Sequence, residues 1–189
     1  YCAGKDDGSF VALVGKEGRL VLVQNSSIYS YRFGGEDPYF RVACTDLDRD
    51  GVDDVVMLGS RGTAMAVKTS IVKEKGQKPV WTKTYKRGAA GTSGLKDETS
   101  GIAIGDVNGD GYPEIVFLGD NLVYALDRFG LPLGGFPVMI SRGTPIYGFF
   151  SDPVLVDVTG DDTPEILVPS NDGLVYAYTG KGKPVSGGF

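Results

Sequence analysis

The sequence predicts an all-β fold, and three observations support this prediction. Glycine makes up 29 of the 189 residues, which favours tight turns over long helices. Short apolar segments rich in strand-forming residues recur along the chain, at 55–58, 115–118 and 166–168. Each of these segments follows a stretch of acidic, amide and glycine residues that is typical of a turn. The chain is therefore expected to form short strands connected by turns.

The composition argues against several classes of function. A net charge of −5 disfavours a nucleic-acid-binding protein, which would normally show a basic face. No apolar run approaches the roughly 18 residues of a membrane span, so direct membrane insertion is not expected. The absence of histidine removes the commonest general base and the commonest zinc ligand. Two cysteines are too few for a disulfide scaffold, and the sequence allows either a buried thiol at Cys44 or a Cys2–Cys44 bridge.

The acidic residues are concentrated in three windows, 46–54, 106–114 and 157–165. These windows hold 12 of the 24 Asp and Glu residues, and such clustering is costly through self-repulsion unless a cation is bound. Each window carries oxygen-bearing side chains at positions 1, 3, 5 and 9, and position 7 can add a backbone carbonyl. Oxygen ligands in this number, without His or Cys, suit Ca²⁺ before Mg²⁺.

An EF-hand is the obvious alternative for such a loop, and it fails on two counts. An EF-hand loop requires Glu at position 12, where this chain has Met57, Phe117 and Val168. It also requires flanking helices, whereas the segments on both sides of each window are typical of strands.

A second feature recurs between the acidic windows. The similar segments around Ala12, Ala66, Ala125 and Ala177 are separated by 54, 59 and 52 residues. Each unit then contains a strand, an acidic loop, a second strand, the alanine strand and an outer strand. The outer strands are expected at 19–23, 79–85 and 136–140, and in the tail around Phe189. Four strands in about 50 residues match the size of one blade of a β-propeller.

The sequence therefore predicts a β-propeller segment of about three and a half to four four-stranded blades. Residues 1–189 form a single fragment in this interpretation. The blades lie approximately at 1–36 (partial), 37–86, 97–141 and 149–189 (partial), with 87–96 as a loop. Because the expected first strand of a closed ring is missing, the fragment is predicted to be an open arc of a larger propeller.

The spacing Asp-x-Asp/Asn-x-Asp-Gly-x-x-Asp/Glu, followed by an apolar strand and a glycine turn, resembles that of FG-GAP repeats, including VCBS-like ones. Such repeats occur in integrin α-subunit propellers and in bacterial secreted proteins. The Gly-Phe-Pro at 135–137, echoed at 188–189, is similar to the bacterial branch. The resemblance covers nearly the whole chain, and it implies a calcium ion in each loop between the first two strands of a blade.

The resemblance also implies which residues bind these ions. The third loop departs from the pattern, because Thr159 replaces an acid or amide and Asp162 occupies the glycine position, which puts its geometry and occupancy in question. The implied ligands are the side chains of Asp46, Asp48, Asp50 and Asp54 with the Val52 carbonyl in the first loop, those of Asp106, Asn108, Asp110 and Glu114 with the Tyr112 carbonyl in the second, and those of Asp157, Thr159, Asp161 and Glu165 with the Thr163 carbonyl in the third.

Together these features predict a noncatalytic, calcium-stabilised segment of a secreted or cell-surface protein. Its expected role is adhesion, ligand binding or scaffolding, with a protein or glycan as partner. Two alternatives stay open. One is the propeller portion of a secreted carbohydrate-active enzyme similar to some polysaccharide lyases. The other is an extracellular structural subunit that self-associates through its open blade faces.

Overall fold

A computed structural model gives the structure of residues 2–3, 10–14, 19–24, 27–32, 40–51, 53–59, 63–67, 81–85, 101–119, 122–140, 152–170 and 172–185. Side chains are described from Arg41 onward, except at 59, 63, 65 and 84. Val52, the expected loop at 87–96 and Phe189 lie outside the described residues. The chain divides into two compact units, Tyr1–Tyr85 and Lys86–Phe189.

Every regular element in the described part of the chain is a β-strand, so the all-β prediction is confirmed. The fifteen strands described there form four antiparallel sheets, and the strands of each sheet follow one another in sequence order. Over the same residues there is no helix with the length and apolar character needed to cross a membrane.

The first sheet shows that one predicted outer strand is wrong. Residues 19–23 were expected at the edge, but the strand there pairs on both sides, and an additional strand forms the edge. Only two residues separate these last two strands, and so short a connection places them side by side as a hairpin. The strands are β1 (Cys2–Ala3), β2 (Phe10–Val14), β3 (Arg19–Gln24) and β4 (Ser27–Arg32).

The second sheet has its most buried strand next to the acidic window. The side chains from Val55 to Leu58 are buried, as expected for an apolar segment that packs on both faces. Trp81 lies on the outermost strand, which confirms the outer strand predicted at 79–85. The strands are β5 (Phe40–Thr45), β6 (Asp54–Gly59), β7 (Thr63–Val67) and β8 (Trp81–Thr84).

The third and fourth sheets belong to the second unit. All six residues of the second strand of the third sheet are buried, and the strand at its edge lies within the predicted 136–140. The third sheet contains β9 (Ile102–Gly105), β10 (Glu114–Gly119), β11 (Leu122–Leu126) and β12 (Val138–Met139), and the fourth contains β13 (Val154–Val156), β14 (Glu165–Pro169) and β15 (Val175–Tyr178).

One face of the third sheet packs against one face of the fourth. The shared core combines aliphatic residues of β10 and β11 with Ile166 and Val168 of β14 and Tyr178 of β15. Burial of these side chains is the main force that holds the two sheets together. Cys44, on β5 in the other unit, carries a thiol and is half-buried rather than buried.

The strand register relative to the acidic windows is the same in three sheets. In each case the eleventh residue, counted from the first aspartate of the window, pairs with the alanine of the third strand. Because the side-chain period of a strand is two, equal register places equivalent residues on equivalent faces. The pairs are Val56 with Ala66, Val116 with Ala125, and Leu167 with Ala177.

Candidate metal centres

The three acidic windows form loops that connect the first two strands of their sheets. The first loop (46–54) joins β5 to β6, the second (106–114) joins β9 to β10, and the third (157–165) joins β13 to β14. The flanking elements are strands, which is incompatible with the helix–loop–helix of an EF-hand. Each loop is therefore anchored at both ends by an antiparallel ladder.

The aspartate at position 1 gives each loop its curvature. In the second loop, Asp106 Oδ1 accepts hydrogen bonds from the N–H groups of Gly109 at 2.8 Å and Asp110 at 3.1 Å, while its Oδ2 accepts one from Gly111 at 2.8 Å. Asp157 accepts the equivalent bonds in the third loop, and Asp46 accepts those of positions 5 and 6 in the first. One carboxylate thus gathers successive backbone donors that a tight turn would otherwise leave unpaired.

These bonds also affect the ionisation of the position-1 carboxylate. In the third loop the N–H of Gly160 is the main cause that lowers the pKa of Asp157, and the N–H groups of Asp162, Asp161 and Thr159 add to the effect. Hydrogen bonds to the charged form favour that form. Asp157 is therefore kept as an anion that holds the loop.

The carboxylate at position 9 is buried in all three loops. Asp54 is 4% exposed, Glu114 1% and Glu165 3%. One oxygen of each accepts the N–H of the residue at position 2, at 3.3 Å from Leu47, 3.0 Å from Val107 and 3.0 Å from Val158. The second oxygen of Asp54, Oδ1, is buried as well. A buried carboxylate is costly unless it is protonated or paired with positive charge.

The cost of burying this carboxylate is seen in the pKa of Glu114. Burial raises its pKa from an ordinary 4.5 to about 7, and the nearby charges of Asp110 and Asp106 act in the same direction. The N–H groups of Val107 and Asn108 lower the pKa but do not offset the burial. The second loop therefore holds its position-9 side chain in an environment that disfavours a lone negative charge.

Position 3 distinguishes the three loops. In the second loop, Asn108 Nδ2 donates to Asp110 Oδ2 at 3.0 Å and to Glu114 Oε1 at 3.1 Å. In the third, the Thr159 hydroxyl donates to Glu165 Oε1 at 3.3 Å. The first loop has Asp48 here, and a carboxylate can only accept hydrogen bonds. Oxygen atoms of Asp46, Asp48 and Asp50 all lie within 4.8 Å of one another.

The backbone of the third loop adopts the same turn as the other two. Position 6 has a left-handed conformation in every loop, with φ of 88° at Gly51, 90° at Gly111 and 66° at Asp162. Asp162 thus adopts the backbone conformation of the glycines at this position, which Asp tolerates better than most residues. Position 4 is also left-handed, at Arg49, Gly109 and Gly160, a requirement that the sequence analysis missed.

At position 7 the resemblance implies a backbone carbonyl as ligand, whereas the described hydrogen bonds involve the backbone N–H. The N–H of Tyr112 donates to Asp110 Oδ1 at 2.8 Å, and that of Thr163 donates to Asp161 Oδ1 at 3.0 Å. These bonds fix the peptide that precedes position 7 against the position-5 carboxylate.

A cation–π stack beside the second loop also escaped the sequence analysis. The guanidinium carbon of Arg128 lies 3.8 Å from the centre of the Tyr112 ring and 4.6 Å from that of Phe129. Arg128 lies two residues after the end of β11, and the pairing of Ile115 with Leu126 brings the start of β10 and the end of β11 together. The stack therefore ties the second loop to the turn after β11.

The donor set of the first loop could hold a hard cation. Asp46, Asp48 and Asp50 converge, and the position-9 carboxylate is buried beside the start of each loop. The side-chain oxygens there are the ligand type that Ca²⁺ and Mg²⁺ prefer.

Comparisons with known proteins show a fold but no family. No protein-family model and no curated protein matches the sequence. One solved structure that matches is a protein of unknown function from Bacteroides caccae, with a TM-score of 0.51 and 14% identity over 92% of this chain and 56% of the other. Another is BBS1N, solved in complex with ARL6DN, with a TM-score of 0.55 and 16% identity over 97% of this chain and 50% of the other. The chain thus spans about half the length of these two structures, and at such identities the likeness shows the fold alone.

Proposed function

We propose that this chain is a calcium-stabilised β-propeller segment of the FG-GAP type. It belongs to a secreted or cell-surface protein and has a noncatalytic role in adhesion, ligand binding or scaffolding. The observation that carries the proposal is the recurrence of one loop structure at one place in three sheets. Each loop has a capping aspartate at position 1, a buried carboxylate at position 9 and oxygen-bearing side chains between them.

The sheets support a propeller rather than a sandwich. Strands follow one another in sequence order across each sheet, and the first two are joined by an acidic loop in three of the four described sheets. The third and fourth sheets, adjacent in sequence, pack face to face. Meandering sheets stacked in chain order are what a propeller requires.

The electrostatics of the loops support a bound dication. The first loop would hold it with Asp46, Asp48, Asp50 and Asp54. Oxygen atoms of the first three lie within 4.8 Å of one another, and carboxylates this close repel one another without positive charge. In the other two loops Asn108 and Thr159 donate hydrogen bonds to the position-9 carboxylate, which partly relieves the same repulsion. A bound calcium ion would supply charge neutralisation and would stabilise the folded state by mass action.

Thermal unfolding tests this proposal. We expect the melting temperature in millimolar calcium to exceed that in excess chelator, since a ligand at about 100 times its Kd adds about 2.7 kcal/mol for each site that only the folded state offers. Magnesium at the same concentration should have a smaller effect. Identical melting temperatures in chelator and in calcium would show that the loops are only solvated turns.

A matched pair of variants separates loop binding from general charge effects. Replacing Asp50, Asp110 and Asp161 by Asn together should abolish most of the calcium-induced shift. Replacing the acidic residues Asp127, Asp152 and Asp172, which lie outside the loops, removes the same formal charge and should leave the shift unchanged. The calcium-induced difference is compared for each variant against its own value in chelator, so any loss of intrinsic stability is subtracted.

A further inference from the structure

The fourth sheet has one face that is apolar yet exposed. Directly paired residues of an antiparallel sheet share a face, and the pairing aligns Val154 with Leu167 and Ala177. Val156 and Val175 continue the same face along β13 and β15. We name this surface the open face, and its residues are Val154, Val156, Leu167, Pro169, Val175 and Ala177, together with Glu165, which pairs with Val156 and is itself buried.

Exposure and chemistry are mismatched on the open face. Val154 is 50% exposed, Val156 39% and Val175 60%, and Leu174 beside them is also exposed. An antiparallel sheet that faces water normally carries polar residues on that side. Six of the seven residues of the open face are apolar and the seventh, Glu165, is buried, so this face is built for burial.

The third sheet shows what covers a face with this register. Its equivalent residues are Ala103, Val116, Leu118, Val123 and Ala125, as the matching pairs of Val116 with Ala125 and of Leu167 with Ala177 establish. There the fourth sheet packs on top through Ile166, Val168 and Tyr178. Val123 and Val175 occupy equivalent positions in the two sheets, yet Val123 is fully buried and Val175 is exposed. The open face thus continues an interface that already exists between two sheets of this chain.

A suitable covering sheet is present in the chain itself. In the first sheet, Val11 pairs with Leu22, and Leu13 pairs with Leu20. When Asp7-Gly8 is aligned with Asp172-Gly173, Val11 and Leu13 take the positions of Tyr176 and Tyr178. The positions that alternate with these along the strands belong to the other face and are mixed in polarity, since they include Arg19 paired with Arg32. The first sheet therefore has one row of apolar positions that corresponds to the covering row of the fourth sheet.

We propose that a second copy of this chain docks on the open face through its first sheet, β1–β4. The contact is heterologous, because one copy contributes its fourth sheet and the other its first. Such contacts either close into a ring or extend into a chain. The proposal does not depend on calcium, so it stands or falls separately from the proposed function.

Sedimentation velocity of the full 189-residue chain, from about 1 to about 200 µM with either chelator or calcium, tests the proposal. We expect the average mass to rise with concentration. Val175→Lys and Val154→Lys should each weaken association about tenfold or more, because a lysine would be buried unpaired. Met139→Lys, an exposed apolar residue on β12 outside the open face, is the matched control and should associate like the parent chain.

Mixing variants identifies the covering sheet. Leu22→Glu should weaken association as Val175→Lys does, and an equimolar mixture of the two should recover a mixed complex, because each retains the surface that the other lacks. Circular dichroism and the melting temperature of each variant verify that it is folded. A parent chain that stays monomeric throughout, a Val175→Lys variant that associates normally, or a folded Leu22→Glu variant without effect would each overturn the proposal.

Discussion

Gly180 packs directly against the backbone carbonyl of Val107, so the turn after β15 touches the second acidic loop. A Cβ atom on Gly180 would overlap that carbonyl oxygen, and one on Gly182 would meet the carbonyl of Gly135 in the same way. Backbone therefore meets backbone where the third and fourth sheets join. Glycine is required at Gly180 for space alone, because its φ is not in the left-handed region.

Gly180→Ala is expected to lower the free energy of unfolding by about 1–3 kcal/mol, since the two backbones must separate to admit a methyl group. Gly134→Ala is the matched control, because a Cβ there has open space and its φ is also not left-handed. Its effect should stay within about 0.5 kcal/mol. Denaturant unfolding measures both, and equal effects would argue against the close packing at Gly180.

Asp106→Ala should destabilise the protein even in chelator, by about 1–3 kcal/mol, because the N–H groups of Gly109, Asp110 and Gly111 lose their acceptor. Asp48→Asn should differ by less than about 0.5 kcal/mol in chelator, since it removes one charge from a crowded cluster. In calcium, Asp48→Asn should show a reduced calcium-induced gain. If Asp48→Asn were as damaging as Asp106→Ala without calcium, the separate roles assigned to positions 1 and 3 would be wrong.

Asp162→Gly should raise the free energy of unfolding by about 0.5–1 kcal/mol, because glycine adopts the left-handed conformation of this position without a Cβ penalty. Asp172→Gly is the contrasting variant. Asp172 is outside the left-handed region, and its side chain accepts hydrogen bonds from Leu174 and Tyr176. Its replacement should destabilise. Thermal unfolding in chelator compares the two, and a loss of stability in both would contradict the strain argument.

The Asp172–Tyr176 pair predicts a pH effect with a defined sign. The Tyr176 hydroxyl donates to Asp172 Oδ2 at 2.6 Å, and this bond is the main cause that lowers the pKa of Asp172 and raises that of Tyr176. Because the folded pKa of Asp172 lies below its unfolded value, the stabilisation is present above the unfolded pKa and is lost as the pH falls through the folded pKa. In Tyr176→Phe, the midpoint of the Asp172 carboxyl titration, followed by NMR, should move upward. An unchanged midpoint would mean that the bond does not form in solution.

The sequence predicted the strands around each loop because two independent patterns coincide there. Apolar β-rich segments at 55–58, 115–118 and 166–168 lie immediately after the acidic windows, and burial of all their side chains except Leu167 fixes their register. The edge strand β4 was missed, although two residues that favour turns, Asn25 and Ser26, separate two strand-forming segments. The repeat pattern places the outer strand directly after the alanine strand, whereas in the first sheet one more strand, β4, follows and forms the edge.

The hydrogen bonding inside the loops was less accessible from sequence. The spacing shows which oxygen-bearing residues are equivalent between the loops. It does not show that both oxygens of Asp106 accept hydrogen bonds from backbone N–H groups, or that the amide nitrogen of Asn108 donates to Glu114. The stack of Arg128 on Tyr112 joins residues that are close only because β10 and β11 pair. Such contacts depend on which strands pair, so they could not be predicted from residue spacing along the chain.

The capping aspartates have a consequence for how the sheets are connected. Asp106, Asp46 and Asp157 each hold their own loop through hydrogen bonds from backbone N–H groups, so the shape of each bend depends on one carboxylate of the chain itself. Each of these loops joins the first two strands of its sheet. A single acidic side chain therefore controls how those two strands are linked.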